Sequence, residues 1–374
     1  MSVLSNENSP IIWVHCSSVG EFEQARPIIE WYKSNKEEYK ILLTFFSPSG
    51  YELRKNYDLA DWVFYMPVDT PKNARRFVEI VNPSKVIFIK YEFWYNHLNE
   101  LRKRGIDIYI ASAIFRPSQS FFKWYGALFR KMLNSFNKLF VQDKASFKLL
   151  ESIGLAEKAS ICGDTRFDRV AQITKSSKDF PLIERFCSSK FTLVAGSTWE
   201  PDNIHLCNVV KEFPNIKLII ASHEIGKDKI NSILSLFSDK RVIKFTEFDI
   251  YNNQEIEQAD VLVIDTIGIL SSIYKYGNVA YIGGGFGVGI HNILEAATYS
   301  LPIVFGPNYT KFKEARDLIS LGGAFSISES YEFINLTRES FLNSKIAAQI
   351  GAISGAYVSY NLGATEKIIS QIEK

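Results

Sequence analysis

Short runs of apolar residues alternate with amphipathic helical segments along almost the whole chain. The apolar runs do not alternate with polar residues, which is typical of strands buried on both faces of a parallel sheet. They predict strands at 11–15, 41–45, 62–65, 86–89, 108–111 and 139–142, and then at 191–195, 217–221, 241–244, 261–264, 279–282 and 303–305. Helical periodicity fills the intervals, for example at 21–33 and 94–104.

The twelve predicted strands are too many for one comfortable open sheet. Two doubly wound domains of about six strands each are the simpler arrangement, so the predicted fold class is α/β. The polar stretch 163–190 is the predicted linker region. We therefore expect a first domain at 1–163 and a second at 164–355, with a closing helix, 356–374, that packs back on the first.

Composition narrows the class of protein further. The chain has 374 residues, 46% of them hydrophobic, and 43 basic against 41 acidic residues, so a nucleic-acid partner is not expected. The four cysteines show no paired spacing, which argues against a zinc site or a disulfide framework and fits a reducing compartment. No apolar run approaches a membrane span, and the polar start, 1–10, is no signal peptide, whereas binding at a membrane surface stays open.

Two carboxylates follow predicted strands, where open α/β sheets bind ligands. Glu21 ends the segment Ser17-Ser18-Val19-Gly20-Glu21 after the first strand; it is either the partner of Ser18 in a helix capping box or a general base. Glu92 follows Lys90 after the fourth strand; it either closes the strand in an ion pair with Lys90 or orients a substrate hydroxyl.

Three segments near or after the predicted linker are also candidates. The charged turn 164–169 is either a capped, solvated turn or an interdomain ligand contact. Gly196-Ser197-Thr198 follows a strand and lets backbone N–H groups approach an anion. The glycine-rich segment 283–295 follows a strand and is expected to open a helix near His291, a junction that suits a phosphate, although Asn292 and Glu295 are alternatively only a helix cap.

Several common site motifs are missing from the sequence. The five histidines show no metal-binding pair spacing, and no D-x-D motif holds a metal nucleotide. Neither a dinucleotide fingerprint, nor a phosphate-binding P-loop, nor a nucleophile elbow is present.

An ordered series of motifs resembles the 3-deoxy-D-manno-octulosonic acid (Kdo) transferases of lipopolysaccharide assembly. The matching segments are 15–21, 44–50, 91–94, 163–168, 196–198, 265–268 and 291–295. Each segment is weakly specific, but seven in the same order, between about residues 11 and 325, are strongly specific. The resemblance implies the GT-B fold, with two Rossmann-like domains facing each other across a cleft.

The resemblance also implies a function and a set of site residues. The expected reaction is an inverting transfer of Kdo from CMP-Kdo to the lipid A precursor, without a metal or other cofactor. The implied catalytic residues are Glu21 as general base and Glu92 on the acceptor side. The residues expected to bind the donor are Arg166, Ser197, Thr198, His223, Thr266, Gly268, Gly287, Gly289, His291, Asn292 and Glu295. Those expected to bind the acceptor are Ser47, Ser49, Lys90, Lys123 and Arg130.

The sequence departs from the family pattern at three places. Ala221-Ser222-His223 stands where Pro-Arg-His is frequent, and Ile269 stands where Glu often follows Asp-Thr-x-Gly. Members usually carry an N-terminal membrane anchor, but only ten residues precede Ile11. Either the chain is truncated at its N-terminus or it docks by its surface alone, and for this chain we expect peripheral attachment at the cytoplasmic face of the inner membrane. The alternatives are a GT-B enzyme that uses a UDP- or GDP-sugar and a non-catalytic two-domain binding protein.

An aromatic and basic segment is the candidate membrane contact. At helical spacing, nine apolar residues between Phe121 and Phe136 fall on one arc, and Lys123, Arg130, Lys131 and Lys138 fall on the other side. Residues 108–142 hold five basic residues and no acidic one. The segment is either a helix packed on the sheet with a solvated basic face or a surface for anionic lipid and acceptor phosphates.

Overall fold

A computed structural model describes residues 9–374. Its strands form two sheets of seven, in which all neighbouring strands are parallel. The first sheet contains β1 Ile11–Cys16, β2 Lys40–Phe45, β3 Trp62–Tyr65, β4 Lys85–Ile89, β5 Asp107–Ala113, β6 Lys138–Val141 and β7 Ala159–Ile161. The second contains β8 Thr192–Thr198, β9 Lys217–Ser222, β10 Val242–Lys244, β11 Val261–Ile264, β12 Val279–Ile282, β13 Ile303–Phe305 and β14 Ala324–Ser326.

Helices connect most of these strands. The α-helices are α1 Val19–Asn35, α2 Pro48–Arg54, α3 Pro71–Val81, α4 Tyr95–Lys103, α5 Ala127–Asn134, α6 Lys144–Glu151, α7 Thr165–Lys175, α8 Pro181–Cys187, α9 Glu200–Glu212, α10 Lys227–Leu236, α11 Asn253–Gln258, α12 Leu270–Ile273, α13 Leu294–Ala297, α14 Lys313–Leu321, α15 Ser330–Leu336, α16 Ser344–Tyr360 and α17 Ala364–Ile372. Shorter turns of 3₁₀-helix lie at 120–122, 156–158, 245–250 and 274–276, and a π-helical turn lies at 337–341.

The α/β fold class with two parallel sheets is confirmed, and all twelve predicted strands are present. The sequence analysis missed β7 and β14, which are edge strands of three residues with partly exposed side chains and therefore have no continuous apolar run. The predicted linker region 163–190 contains the point where the chain divides into two compact units, between Arg169 and Val170, and it also contains α7 and α8.

The chain divides into two compact units. The first contains the residues up to Arg169 together with Asn361–Lys374, and the second contains Val170–Tyr360. The division falls inside α7 and not at the 163/164 boundary expected from sequence, because the start of α7 is bonded to the first unit. Thr165 donates to the Gln24 carbonyl at 2.6 Å, and Asp168 accepts from the backbone of Gly363 at 2.7 Å, which ties α17 to the same unit.

Strand order marks one position at the carboxyl edge of each sheet. In the first sheet the order is β3-β2-β1-β4-β5-β6-β7, so the connections turn in opposite directions after β1 and β4. In the second the order is β10-β11-β9-β8-β12-β13-β14, and the corresponding pair is β8 and β12. Doubly wound sheets bind their ligands beyond the carboxyl ends of strands at such a switch point.

Candidate active site

The switch point of the first sheet brings the two predicted carboxylates to one edge. Glu21 lies in the first turn of α1, just after β1, and Glu92 follows β4, the neighbour of β1. Their residues are only 8% and 7% exposed. Ser17 influences both groups, because its backbone N–H donates to Glu21 Oε2 at 2.6 Å and its side chain acts to lower the pKa of Glu92.

Glu21 lies in the first turn of α1, and the pKa of its carboxyl is raised. Ser18 is the N-cap of α1, and its Oγ accepts from the Glu21 backbone N–H at 3.4 Å. Burial, followed by the negative charge of Glu92, raises the pKa of Glu21 from 4.5 to about 7. A buried carboxyl that ionises near neutral pH can accept a proton from a substrate at physiological pH.

Glu92 is held as an anion by neutral donors. His15 Nε2 lies 3.0 Å from Glu92 Oε2, and the Trp94 indole donates to the same oxygen at 2.6 Å. Burial acts to raise the pKa of Glu92, but the bonds from His15, Ser17 and Trp94 outweigh it and hold this pKa below its ordinary value. The close partner in this structure is thus His15, and not the Lys90 proposed from sequence.

The backbone around the carboxylates has unusual conformations. Lys90, directly after β4, has φ of 65°, and the buried Ser112 of β5 has φ of 52°. Left-handed backbone is unfavourable for these residue types and is concentrated at functional sites in proteins. The Lys90 ammonium lies 5.1 Å from the centroid of the Tyr91 ring.

The serines predicted to bind the acceptor lie at the same edge. The backbone N–H of Ser47 donates to the Ser17 carbonyl at 2.9 Å, which places the loop after β2 beside the loop after β1. The hydroxyls of Ser47 and Ser49 are 2.7 Å apart, and Ser49 is exposed. Ser47, Ser49 and Lys90 therefore surround the same strand ends as the two carboxylates.

The aromatic and basic segment is not one helix, as its periodicity predicted. A 3₁₀ turn ends at Phe122 and α5 begins at Ala127. Gly126 breaks the helix: a β-carbon there would lie 2.2 Å from the Ser120 carbonyl oxygen. Arg130 donates to the carbonyls of Phe121 and Lys123 at 3.1 and 3.0 Å, so it holds the segment before α5 against that helix.

The predicted apolar arc divides into buried and exposed parts. The residues that enter the core of the first unit include Phe121, Met132, Leu133 and Phe136. The exposed ones are Trp124, which is 91% exposed, and Tyr125, Leu128 and Phe129. We call these last four residues the aromatic patch. The segment thus packs partly on the core of the first unit and partly presents exposed apolar side chains.

In the second unit the predicted donor-binding residues follow neighbouring strands at the carboxyl edge. Ser197 and Thr198 end β8, and His223 follows β9. Thr266 and Gly268 follow β11, and the segment from Gly283 to Glu295, with Gly287 and Gly289, follows β12. Ser197 has a left-handed φ of 54° at the switch point.

The glycine-rich turn is packed against β8. A β-carbon at Gly283 would lie 2.3 Å from the Ser197 carbonyl oxygen, so only glycine fits there. The buried carboxylate of Asp202 accepts the backbone N–H groups of Trp199 and Gly284 at 2.8 and 2.9 Å, and the Tyr281 hydroxyl at 2.7 Å. Asp202 thereby joins the start of α9 to the glycine-rich turn.

The helix expected near His291 differs from the prediction. It begins at Leu294 and has only four residues, so the long helix dipole expected for phosphate binding is missing at this place. Asn292 accepts from the Leu294 N–H at 3.1 Å and donates to Glu295 at 3.1 Å, but the N-cap of α13 is Ile293, so the predicted cap with its reciprocal Glu295 does not form. Backbone N–H groups that could meet a phosphate belong to the glycine-rich turn instead.

Three aromatic rings form a continuous stack at this edge. The ring centroids of Trp199 and His223 are 4.7 Å apart, and those of His223 and His291 are 4.4 Å apart. The Trp199 indole donates to His291 Nε2 at 3.2 Å, so a neutral His291 carries its hydrogen on Nδ1. Burial, and then the nearby His223, lower the pKa of His291, which favours this neutral form.

Arg166 belongs to the first unit, whereas the other predicted donor-binding residues belong to the second. Its guanidinium contacts the buried carboxylate of Asp164 at 2.8 and 2.9 Å, and Gln24 donates to the same carboxylate at 2.9 Å. Asp164 also accepts the Arg166 backbone N–H at 3.0 Å, as an Asp cap would, but the turn at 164–169 is not solvated as expected, because Asp164, Thr165 and Phe167 are buried.

Neither a metal cluster nor a membrane-spanning helix is found among the described residues 9–374. In that part of the chain, no three His, Cys, Asp or Glu side chains are grouped so that they could hold a metal ion. No helix there is both long enough and apolar enough to cross a bilayer.

Relatives of known family share these sequence features. A family model described as 3-deoxy-D-manno-octulosonic-acid transferase matches residues 2–169. The transferase of that name from Aquifex aeolicus is 28% identical over 338 residues, which cover 88% of this chain and 85% of the relative. The one from Haemophilus influenzae is 26% identical over 377 residues, with 97% and 86% covered.

Over most of its length the chain is similar to Kdo transferases. The relatives align over both units, and the strand ends described above carry the motifs on which the resemblance rested. The similarity to these relatives supports a glycosyltransferase.

Solved structures agree on the fold of this Kdo transferase relative. UDP-GlcNAc 2-epimerase from Neisseria meningitidis, bound to UDP-GlcNAc, has a TM-score of 0.66 at 14% identity, with 97% of this chain and 99% of that chain covered. MurG from Acinetobacter baumannii has a TM-score of 0.60 at 11% identity, with 98% and 99% covered. The GT-B class predicted from sequence is thus confirmed.

Sequence reasoning missed four residues of the two edges. These are Thr44 and Trp94 beside the carboxylates, and Trp199 and Asp202 beside the glycine-rich turn. A signal for Asp202 existed, because it stands three residues after Trp199, where an acidic side chain can bond the backbone at a helix start. Thr44 and Trp94 lay within quoted motifs but had no role assigned.

Proposed function

We propose that this protein transfers Kdo from CMP-Kdo to a lipid A precursor, with inversion and without a metal. The observation that carries the proposal is the buried Glu21 carboxyl at the switch point of the first sheet, with a pKa of about 7. An acceptor hydroxyl becomes a competent nucleophile only when a base removes its proton, and Glu21 has the position and acidity for that task.

The proposed step is a single displacement. The acceptor oxygen attacks the anomeric carbon of Kdo, its proton passes to Glu21, and the bond from that carbon to the CMP phosphate breaks. CMP leaves with the bonding electron pair, so no oxidant or reductant is needed. Glu92 supports the acceptor side, together with Ser47, Ser49 and Lys90 around the same strand ends.

The second unit is proposed to bind the donor. Backbone N–H groups of the turn that contains Gly287 and Gly289 would stabilise the negative charge on the leaving phosphate. Glu295 and His291 would contact the ribose and phosphate, with Thr198 and Thr266 at neighbouring strand ends. Charge stabilisation by fixed dipoles is an alternative to a metal ion, in accord with the lack of a D-x-D motif.

The aromatic patch is proposed to meet the membrane surface that holds the lipid acceptor. Trp124 and Tyr125 are exposed next to Lys123, and Lys131 is exposed on α5. Exposed aromatic rings with neighbouring cations favour the interface of an anionic bilayer. Such contact would bring the first unit to a lipid substrate at the cytoplasmic face of the inner membrane.

The test is turnover by the full chain. Purified protein is given CMP-Kdo and a lipid A precursor in mixed micelles, and CMP release and the mass of the lipid product are measured. We expect Kdo addition that persists in EDTA. UDP-GlcNAc and a GDP-sugar serve as comparison donors; faster transfer from either, or EDTA-sensitive transfer rescued by Mg²⁺, would contradict the proposal.

A further inference from the structure

We infer that His15 is a positioning residue for the transfer: its Nε2–H holds Glu92 as a fixed anion beside Glu21, and the charge of that anion strengthens the base. This inference rests on the proposed role of Glu21. It assigns a function to a buried histidine of β1 whose two partners, Thr44 and Glu92, lie on β2 and after β4, the two neighbours of β1.

Glu92 and a chain of hydrogen bonds together set the tautomer of His15: an ionised carboxylate only accepts, so the ring donates to it from Nε2. The Trp13 indole, which can only donate, lies 2.8 Å from Thr44 Oγ1, so Thr44 accepts there and keeps its own hydrogen for another partner. That partner is His15 Nδ1 at 2.8 Å. A neutral His15 then carries its hydrogen on Nε2, which faces Glu92 at 3.0 Å. The opposite tautomer would direct a lone pair at the carboxylate.

The neutrality of His15 matters for the base. His15 is fully buried, and burial lowers its pKa; the neighbouring His97 acts in the same direction. A neutral imidazole fixes the Glu92 carboxylate without cancelling its charge, whereas an arginine or lysine at this place would neutralise it. The Trp94 indole, the second donor to Glu92, is also neutral. The negative charge therefore stays available to act on Glu21.

The other charged and titratable groups around Glu21 do not explain its raised pKa. Lys90 and the backbone N–H of Ser17 both act to lower the pKa of Glu21, and the effect of Glu92 is larger than that of Lys90. The Cys16 thiol, at the end of β1, stays neutral because burial raises its pKa. Burial raises the pKa of the Tyr91 hydroxyl as well. Besides burial itself, Glu92 is the group that raises the pKa of Glu21.

Two substitutions of His15 distinguish its hydrogen bond to Glu92 from its hydrogen bond to Thr44. In His15→Gln the longer amide can still donate to Glu92, whereas in His15→Asn the shorter amide reaches only towards Thr44. Trp94→Phe removes the second donor from a half-buried position and is a variant that keeps the inference testable if the His15 variants are unstable. His97→Asn is the matched control, because His97 is a fully buried histidine paired with a different carboxylate, Asp69, at 2.7 Å.

The experiment is a carbon-13 NMR titration of the glutamate carboxyl groups in the free protein, with Glu21→Gln and Glu92→Gln for assignment. We expect Glu92→Gln to lower the midpoint of Glu21 by about one pH unit or more. We expect His15→Asn and Trp94→Phe to raise the midpoint of Glu92, and His15→Gln to resemble the parent protein. His97→Asn removes a group that acts on the pKa of His15 but no donor to Glu92, so it should move both midpoints less than His15→Asn does.

The same variants are then assayed for the pH dependence of kcat/KM. In Glu92→Gln the acid limb should move to lower pH together with the NMR midpoint of Glu21. An unchanged Glu21 midpoint in Glu92→Gln, or equal behaviour of His15→Gln and His15→Asn, would overturn the inference. Because the titration needs neither donor nor acceptor, a protein that titrates as expected but transfers no Kdo would refute the proposed function alone.

Discussion

The two carboxyl edges of this protein have the same topological position and different chemistry. At the first, between β1 and β4, two buried carboxylates are surrounded by His15, Trp94 and other neutral donors. At the second, between β8 and β12, the main features are a glycine-rich turn, a stack of rings and one structural carboxylate, Asp202. The first edge can move a proton, and the second offers backbone N–H groups and ring faces.

This difference indicates how one architecture supports two tasks. A base must be poised near neutral pH, which requires burial and a neighbouring charge, and both raise the pKa of Glu21. A site for a phosphate must avoid carboxylates and expose N–H groups, which requires close backbone packing such as that of Gly283 on Ser197. The predictions below test whether chemistry and donor binding are divided in this way.

The largest expected effect is on the rate of transfer by Glu21→Gln. The amide cannot accept the acceptor proton, so turnover should fall by about 10²–10⁴-fold. CMP affinity, measured by calorimetry, should stay at the parent value. Near-full turnover by Glu21→Gln would show that Glu21 only contributes to the start of α1 and is not the base.

The same substitution should stabilise the fold at alkaline pH. The pKa of Glu21 is about 7 in the folded chain against 4.5 ordinarily, so ionisation of this buried group costs folding free energy as the pH rises through that window. Glu21→Gln removes up to about 3 kcal/mol of this cost at pH 8 and almost none at pH 4. Urea unfolding at the two pH values measures the difference; a variant that is less stable at pH 8 would contradict the acidity argued for Glu21.

The aromatic patch should give an intermediate effect. Lys123→Glu with Lys131→Glu should weaken binding to anionic vesicles by about 1 kcal/mol per position or more and raise the KM for lipid acceptor. Arg130 is left in place because it bonds two backbone carbonyls. Lys144→Glu with Lys148→Glu, exposed cations on α6 of the same unit, is the control. Equal losses of vesicle binding in the two double variants would show that the aromatic patch is not a specific membrane contact.

The smallest expected effect concerns Glu295. Two Asn-x-x-Glu segments lie in the second unit: Asn292 with Glu295 at the glycine-rich edge, and Asn252 with Glu255, which form a capping box on α11. If Glu295 also contacts the ribose, Glu295→Ala should weaken CMP binding about tenfold, the effect of roughly one lost hydrogen bond. Glu255→Ala should leave CMP affinity unchanged. If Glu295→Ala and Glu255→Ala bind CMP equally well, the role of Glu295 is only structural.

The fold was largely predictable because both sheets are buried on two faces. β1, β4 and β12 are fully or almost fully buried, so their apolar runs are unbroken in sequence. The edge strands β7 and β14 lack that signal. Helical periodicity failed between Phe121 and Phe136, because the close packing of Gly126 on Ser120 breaks a segment whose apolar spacing is that of one helix.

The positions of the two proposed catalytic carboxylates were predictable from sequence, and their surroundings were not. Glu21 and Glu92 stand in motifs directly after strands. Their acidity depends on bonds between distant segments: His15 and Glu92 are 77 residues apart in sequence, and Asp202 and Gly284 are 82 apart. Only the folded chain brings such partners together, and so the neutral donors to Glu92 and the anchor of the glycine-rich turn became visible in the structure alone.

The most direct test of the divided edges is a paired measurement on Glu21→Gln and Glu295→Ala. Single-turnover transfer at saturating CMP-Kdo and CMP affinity by calorimetry are determined on the same preparations. The account predicts that Glu21→Gln loses the transfer rate and keeps CMP affinity, whereas Glu295→Ala loses affinity and keeps most of the rate at saturation. Loss of both quantities in both variants, or loss of CMP affinity in Glu21→Gln alone, would contradict it.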